Sequence, residues 1–160
     1  MDRPSKQPAC KEKVQRFLAG FTHLLVKMQE VDDSCVVITK NISKQDLWLI
    51  GFIGEQQSVI MREVAEFLSV PLSTATWVVD KLVKKRYLKR FNSPEDRRVV
   101  KVELTKKGKD TATFFAQKKQ EMAELILSGL TKEQGDEFVN TLEVVSNNMR
   151  KHAEEFKPQK

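Results

Sequence analysis

The residues with the clearest chemical meaning are the basic side chains at positions 81–109, where twelve Lys and Arg accompany three Asp and Glu. The whole chain has a formal net charge of +6, so this stretch carries the entire positive excess. A basic patch confined to one segment is the electrostatic footprint expected of a protein that binds a polyanion. A lysine-rich face exposed to water is the alternative that charge alone leaves open.

Polar and basic side chains recur on the outer face of a helix that the apolar spacing predicts over residues 73–86. If the polyanion is DNA, the hydroxyl groups on this face can hydrogen-bond bases or phosphates, and the threonine methyl groups can contact thymine. Lysines supply affinity by neutralising phosphates, and we expect the same of Lys89 and Arg90. The DNA-contacting candidates on this helix are Ser73, Thr74, Thr76, Trp77, Lys81, Lys84 and Lys85.

Several of these helix residues also have a simpler interpretation. Thr74 and Thr76 are consistent with an ordinary helix surface that faces water. Trp77 is as consistent with a place in the core as with packing on a sugar or on a thymine methyl group. The sequence leaves these alternatives open.

A β-hairpin is predicted directly after this helix, because strand-like residues 87–91 and 99–104 flank a segment with turn chemistry. Arg97 and Arg98 are expected to enter a narrow A·T-rich minor groove, where the potential is most negative. Asp96 is expected to pair with a neighbouring arginine and fix the shape of the hairpin, because phosphates would repel it. A surface salt bridge of little energetic value is the alternative.

The elements that position these residues follow from the periodicity of the apolar side chains. Residues 14–31 are predicted to form an amphipathic helix of about five turns, and Ser43 is placed to cap a second helix. A short helix beginning near Met61 and a tight turn at residues 69–72 precede the helix at 73–86. This order makes a helix-turn-helix, and the hairpin behind it makes a wing.

Two further helices are predicted, one from Thr105 to Gly129 and one from Thr131, where Thr131 and Gln134 fit a capping box. The first, fifth and sixth helices carry wide apolar stripes that a second copy of the chain would bury. A larger monomeric helical domain is the alternative. The predicted fold is mainly α with a small β-hairpin wing. We assign residues 37–109 to a winged helix-turn-helix DNA-binding domain and residues 1–36 plus 110–160 to a helical dimerisation region.

The segments at residues 73–82, 87–90 and 94–108 together resemble the MarR family. The specific part is Asp96-Arg97-Arg98 in the wing, followed at a fixed distance by Leu104-Thr105 and then by Gly108. The order of helices on both sides fits as well, so the resemblance covers nearly the whole chain.

The resemblance implies a homodimeric winged-helix regulator that binds a palindromic operator, usually as a repressor. It also implies release from DNA by a small phenolic or lipophilic effector, or by oxidation of a cysteine. The alternative is a winged-helix protein-interaction module that does not bind DNA. Trp77 and Leu72 support that alternative, because apolar residues on such a face can anchor a protein partner.

The two cysteines and two histidines bear on whether the chain has a redox or metal site. Cys10, just before the first helix and near two lysines, is a candidate redox thiol, with an ordinary surface thiol as the alternative. Cys35 is expected after the first helix. His23 and His152 are expected at apolar interfaces. The spacing of cysteines and histidines predicts no metal site. The sequence carries no enzyme motif, and we expect no cofactor.

Targeting and membrane segments are not expected either. Residues 1–13 are polar and charged, unlike a signal peptide. The longest apolar run, at residues 48–54, is too short to cross a bilayer. The sequence therefore predicts a cytoplasmic protein without a membrane partner.

Overall fold

The computed structural model describes residues 10–39, 42–93 and 99–151. Within them, six helices and three short strands follow one another, which confirms the predicted fold class. The elements are α1 (Lys11–Thr39), α2 (Lys44–Gln56), β1 (Ser58–Ile60), α3 (Met61–Leu68), α4 (Leu72–Lys84), β2 (Leu88–Asn92), β3 (Val100–Leu104), α5 (Lys106–Ser128) and α6 (Lys132–Lys151). No helix in these ranges is long and apolar enough to span a membrane.

Helix α1 is longer than predicted, and this changes the place of one cysteine. The helix continues through 29 residues to Thr39, because Val31 and Cys35 extend its apolar spacing into the core. The expectation that Cys35 follows the helix was therefore wrong. Cys35 lies inside α1 and is fully buried.

The sheet has three strands where the sequence predicted a hairpin of two. Its order is β1-β3-β2, and both pairs are antiparallel, with Val59 of β1 opposite Val102 of β3. Strand β1 lies directly before the helix that was predicted to begin near Met61, and its three residues are too few to show an alternating pattern. The left-handed backbone at Gln57, with φ of 65°, turns the chain from α2 into β1.

The helix starts are set by side chains that satisfy free backbone amides. Ser43 Oγ accepts from the Asp46 amide at 3.2 Å, and Asp46 Oδ2 accepts from the Ser43 amide at 2.8 Å. This reciprocal capping confirms the predicted start of α2. The short connection after α3 is made by Ser69 in the left-handed conformation and by Pro71, which precedes the first residue of α4.

Helix α4 ends at Lys84, two residues earlier than predicted. Arg86 adopts a left-handed backbone with φ of 61°, and its amide donates to the Val83 carbonyl at 2.9 Å. The Tyr87 amide donates to the Leu82 carbonyl, also at 2.9 Å. These two bonds close the helix and direct the chain into β2.

The described residues up to Lys119 form one compact unit by contacts. Its core joins residues of α1, α2, α3, α4, the sheet and the first part of α5. The largest fully buried side chains include Leu47, Leu49, Ile50, Ile53, Val64, Val79, Leu82, Leu88, Val102 and Phe115. The core therefore fixes the back of α4 and leaves its other side to solvent.

The start of α5 is held closely against the residue before β2. The amide of Thr105 donates to the Tyr87 carbonyl at 3.0 Å, and its hydroxyl lies 2.6 Å from the Arg86 carbonyl and 3.1 Å from that of Tyr87. Thr105 Oγ1 also accepts from the Gly108 amide at 3.1 Å, which confirms Thr105 as the start of the fifth helix. A Cβ atom on Gly108 would lie 2.2 Å from the Tyr87 carbonyl oxygen, so only glycine fits there.

The described residues from Gln120 onward form the second unit, with the last part of α5 and helix α6. Gln134 and Thr131 cap each other at the start of α6, as predicted, through bonds of 3.0 and 3.3 Å. This division of the chain by contacts differs from the predicted boundaries at 36/37 and 109/110. The predicted boundaries separate a DNA-binding region from a dimerisation region, which division by contacts does not test. The dimerisation role therefore stays a prediction.

Candidate nucleic-acid interface

Helix α4 separates its side chains cleanly into two faces. Ala75, Val78, Val79 and Leu82 are buried, which is the spacing expected for one helical face against a core. Ser73, Thr74, Trp77 and Lys84 are exposed on the other side. We call these four residues, together with Lys85, the outer face of α4.

Trp77 lies on that outer face. The residue is 64% exposed, so the interpretation of Trp77 as a core residue was wrong. The Lys81 ammonium lies 5.3 Å from the centre of its ring, within the range of a cation–π contact. A large apolar ring is therefore presented to solvent among hydroxyl and ammonium groups.

The ammonium of Lys81 has a buried acidic partner. Nζ lies 2.6 Å from Oδ1 of Asp46, whose side chain is only 1% exposed. The Lys81 side chain itself is 26% exposed. Asp46 thus accepts the Ser43 amide through one oxygen and pairs with Lys81 through the other. Moving the ammonium to a phosphate would leave that carboxylate buried without its countercharge.

Thr76 is half-buried, and its hydroxyl donates to the Leu72 carbonyl at 2.8 Å. That proton is therefore committed within the helix, whereas its oxygen can still accept. Thr74 and Ser73 lie one turn earlier relative to Trp77 and are exposed. The structure thus places two of the three predicted hydroxyl groups on the accessible face.

Two basic residues of β2 also have acidic partners. Arg90 Nη1 lies 2.5 Å from Asp80 Oδ1 on α4, and Lys89 Nζ lies 2.5 Å from Glu103 Oε1 on β3. The first pair ties α4 to β2, and the second ties the two wing strands together. Sequence reasoning missed these pairs because the partners are ten and fourteen residues apart and follow no local motif.

Lys84 and Lys85 extend the outer face of α4 at its C-terminal end. Lys84 is exposed and Lys85 is half-buried. The Lys107 ammonium donates to the Lys85 carbonyl at 3.1 Å, and it also lies over the ring of the buried Tyr87 at 3.9 Å. The Lys107 side chain of α5 therefore lies against the backbone that joins α4 to the wing.

The wing strands pair up to the edge of the described residues. The Ser93 amide donates to the Val99 carbonyl at 2.9 Å, one step beyond the register of β2 with β3. The wing candidates Asp96, Arg97 and Arg98 lie outside the described residues. Their predicted roles therefore stay predictions.

The candidate redox thiol, Cys10, is exposed directly before α1. Its carbonyl accepts from the Val14 amide at 3.1 Å, so Cys10 is the N-cap residue of that helix. His23 is exposed on α1, and His152 lies outside the described residues. The redox role of Cys10 is not tested by this placement.

Comparison with family models gives one match. The model of the MarR family matches residues 49–100, a span that contains most of α2, all of α3 and α4, and strand β2. This match confirms the family resemblance that the sequence indicated. The matched span also includes every candidate DNA-contacting residue on α4 and in the wing.

Two curated relatives come from Bacillus subtilis strain 168, and both are named as uncharacterized HTH-type transcriptional regulators. YpoP is 32% identical over 85 residues, and the match covers 53% of this chain and 60% of YpoP. YybA is 26% identical over 113 residues, which are 71% of this chain and 75% of YybA. The chain thus spans about 60% of the length of YpoP.

Among solved structures, the chain is similar to Streptococcus pneumoniae FabT in complex with DNA. The two share 26% sequence identity at a TM-score of 0.72. The similarity covers 92% of this chain and all of the FabT chain. The winged-helix architecture is therefore shared well beyond the span of the family model.

Proposed function

Because the chain carries a MarR-family domain at residues 49–100, we propose that it is a transcriptional regulator that binds double-stranded DNA sequence-specifically as a homodimer. The observation that carries this proposal is the outer face of α4, where hydroxyl, ammonium and indole groups are exposed on a helix whose back is buried. Such a helix enters a major groove, as in other helix-turn-helix proteins. The solved complex of FabT with DNA supports the same use of this fold.

The wing completes the proposed interface. We assign Arg97 and Arg98 to the minor groove beside the major groove that α4 occupies, and Asp96 to the shape of the turn. The two pairs Arg90–Asp80 and Lys89–Glu103 support this arrangement, because they attach the wing strands to α4 and to each other. Phosphate contacts from Lys84 and Lys85 then fix the position of the protein on the duplex.

Apolar side chains along α1 support the homodimer. Several large residues of this helix are 41–61% exposed within the single chain, and Phe17 stacks on Phe21 with ring centres 5.1 Å apart. A soluble protein rarely exposes a contiguous apolar patch of this kind unless a partner covers it. The residues in this range of exposure are Val14, Phe17, Leu18, Phe21, Leu25, Val26 and Met28, and Val37 near the end of the helix is 72% exposed.

Helix α6 shows the same property in the second unit. Its large apolar side chains are 38–61% exposed, and they are Phe138, Val139, Leu142, Val144, Val145 and Met149. A two-fold dimer buries the same patch of both copies at once. Its two reading elements would then meet half-sites of a palindromic operator about one helical turn apart.

A small-molecule effector is part of the proposal, together with action as a repressor in the cytoplasm. Within residues 1–119, a cavity of about 560 Å³ lies between α2, β3 and α5. Its lining combines Ile53, Leu104 and Phe115 with charged residues such as Glu55 and Lys119. A cavity of this size and mixed lining suits a small lipophilic or phenolic compound. The relatives are named as regulators, and we propose no catalytic activity.

The alternative function, a module that binds protein, draws on the exposure of Trp77 and of Leu72, which is 55% exposed. A selection of bound duplexes from a random DNA pool decides between the two functions. We expect one enriched palindrome with a fixed half-site spacing. A protein module would enrich no sequence and would not retard duplex DNA at moderate salt.

Exchange of Lys84 for alanine tests the phosphate contacts. If each subunit loses one such contact, the slope of log K against log salt concentration is expected to shrink by about two for the dimer, since each neutralised phosphate contributes about 0.9. The measurement is a titration of the selected duplex at several salt concentrations. Lys27→Ala is the matched control, because Lys27 lies on α1 and pairs with Glu30 at 2.9 Å. An unchanged slope for Lys84→Ala would remove that residue from the interface.

Carboxylates placed on α1 and α6 test the dimer. Phe17→Glu combined with Leu142→Glu is expected to give a monomer by sedimentation equilibrium, because both positions are more than half exposed in one chain and would be buried against the partner. Trp77→Glu introduces the same charge at an exposed apolar site on α4 and is expected to remain dimeric. A dimer of unchanged stability in the double variant would place the interface elsewhere.

A further inference from the structure

The indole of Trp77 is the largest apolar group on the outer face of α4, and its neighbours in the helix are polar. Ser73 and Thr74, one turn earlier, are exposed, and Lys84 is exposed two turns later. An apolar ring that is 64% exposed in such surroundings contributes nothing to the core. Its conformation is nevertheless supported, because the Lys81 ammonium lies 5.3 Å from its centre.

Lys81, which contacts the Trp77 ring, also contacts a buried residue of the core. Oδ1 of Asp46 holds the Lys81 ammonium at 2.6 Å, and the carboxylate is almost fully buried. Its second oxygen accepts the Ser43 amide at 2.8 Å, so Asp46 is fixed at the start of α2. Asp46 and Lys81 therefore link the indole to the start of α2, and moving the Lys81 ammonium to a phosphate would separate this ion pair.

Base pairs in the major groove present mostly hydrogen-bonding groups, and the one apolar group there is the C5-methyl of thymine. An indole carbon edge gains contact with that methyl and gains nothing from the donor or acceptor edges of the other bases. We propose that Trp77 is a specificity-determining residue that selects thymine by its methyl group, and that Asp46 and Lys81 act as its positioning residues. This inference rests on the proposed function, because it requires α4 to enter the major groove.

The selection described above provides the duplex for the test. Each thymine of the enriched site is then replaced by deoxyuridine, which differs only by the absence of the methyl group. For the wild-type protein, we expect one position in each half-site at which the replacement raises Kd about four-fold, the effect of one buried methyl group. Replacement in both half-sites is expected to raise Kd roughly fifteen-fold if the two effects multiply.

The variants assign this effect to a residue. Trp77→Ala is expected to bind thymine and deoxyuridine duplexes equally, and Trp77→Phe to retain part of the difference, since phenylalanine also contacts the methyl group. Leu72→Ala is the matched control, because it removes another exposed apolar side chain of α4 and is expected to keep the full difference. A difference that persists in Trp77→Ala would assign the methyl contact to another residue and overturn the inference.

The positioning role has its own readout. Asp46→Asn combined with Lys81→Met removes both charges of the pair, and it is expected to reduce the preference for thymine while leaving the salt dependence of binding unchanged. If Lys81 contacted phosphate instead, the salt slope would shrink by about two for the dimer. An unchanged thymine preference would refute the positioning role.

The outcomes also separate this inference from the function beneath it. A wild-type protein that enriches a palindrome but tolerates every deoxyuridine would overturn the role of Trp77 and leave DNA binding intact. A selected site without thymine opposite α4 would do the same. A protein that binds no duplex would overturn both and would favour a protein partner for the indole.

Discussion

Gly108→Ala is expected to lower the free energy of unfolding by about 3 kcal/mol or more, near the upper end of the cost of overpacking. The added Cβ would lie 2.2 Å from the carbonyl oxygen of Tyr87 and 3.2 Å from Cβ of Leu104. The close neighbour is backbone, which cannot turn away as a side chain can. The same carbonyl accepts the amide of Thr105, the residue that caps α5, so displacing it also disturbs the start of that helix.

Urea unfolding monitored by circular dichroism measures this effect. Gly20→Ala is the matched control, because a Cβ at Gly20 meets no atom within 4 Å. That control is expected to be stabilised by up to about 1 kcal/mol, since alanine is the better helix former. Equal stability of Gly108→Ala and the wild type would mean that α5 does not approach Tyr87 as closely as described.

Lys81→Met is expected to cost about 3 kcal/mol of stability, although it changes one side chain that is 26% exposed. The methionine keeps the volume of the side chain but leaves the carboxylate of Asp46 in the core without its countercharge. Removing one member of a buried pair is costly for that reason, whereas removing both often is not. The double variant with Asp46→Asn is therefore expected to recover most of the loss, because asparagine can still accept the Ser43 amide.

Thermal and urea unfolding of the two variants give the comparison. Lys44→Met is the control, because it removes an ion pair with Asp33 whose side chains are 36% and 57% exposed, and such pairs contribute about 1 kcal/mol at most. If Lys81→Met cost no more than Lys44→Met, Asp46 would have to be better solvated than its burial indicates. Failure of the double variant to recover stability would contradict the role of charge.

Much of the fold follows from periodicity. The apolar spacing predicted the start of every helix to within a few residues, and capping chemistry located Ser43, Thr105 and Thr131. Strand β1 escaped notice because three residues show no period, and its identity depends on pairing with β3, more than forty residues away. The end of α1 was misplaced because burial of Cys35 depends on tertiary contacts.

The sequence predicted the exposed face of α4 in the candidate site but not the contacts of its individual side chains. Helical spacing identified the outer face of α4, since the buried set at Ala75, Val78, Val79 and Leu82 leaves the other positions outside. Apolar spacing could not show whether Trp77 faced the core, because a large aromatic side chain at this position is compatible with either the buried or the exposed face of the helix. It also gave no sign that Lys81 pairs with Asp46, because the two are thirty-five residues apart and meet only in the folded chain.

The central place of β3 has a consequence for how related proteins can diversify. Strand β1 runs without a linker into α3, since Ile60 is both its last residue and the cap of that helix. Slipping β3 by one residue would turn Val102 out of the core and shift the helix-turn-helix with it. Residues inserted between Ser93 and Val99 lie beyond both ladders and disturb neither. A connection of different length between Ser93 and Val99 is therefore compatible with the same strand register and the same position of α4.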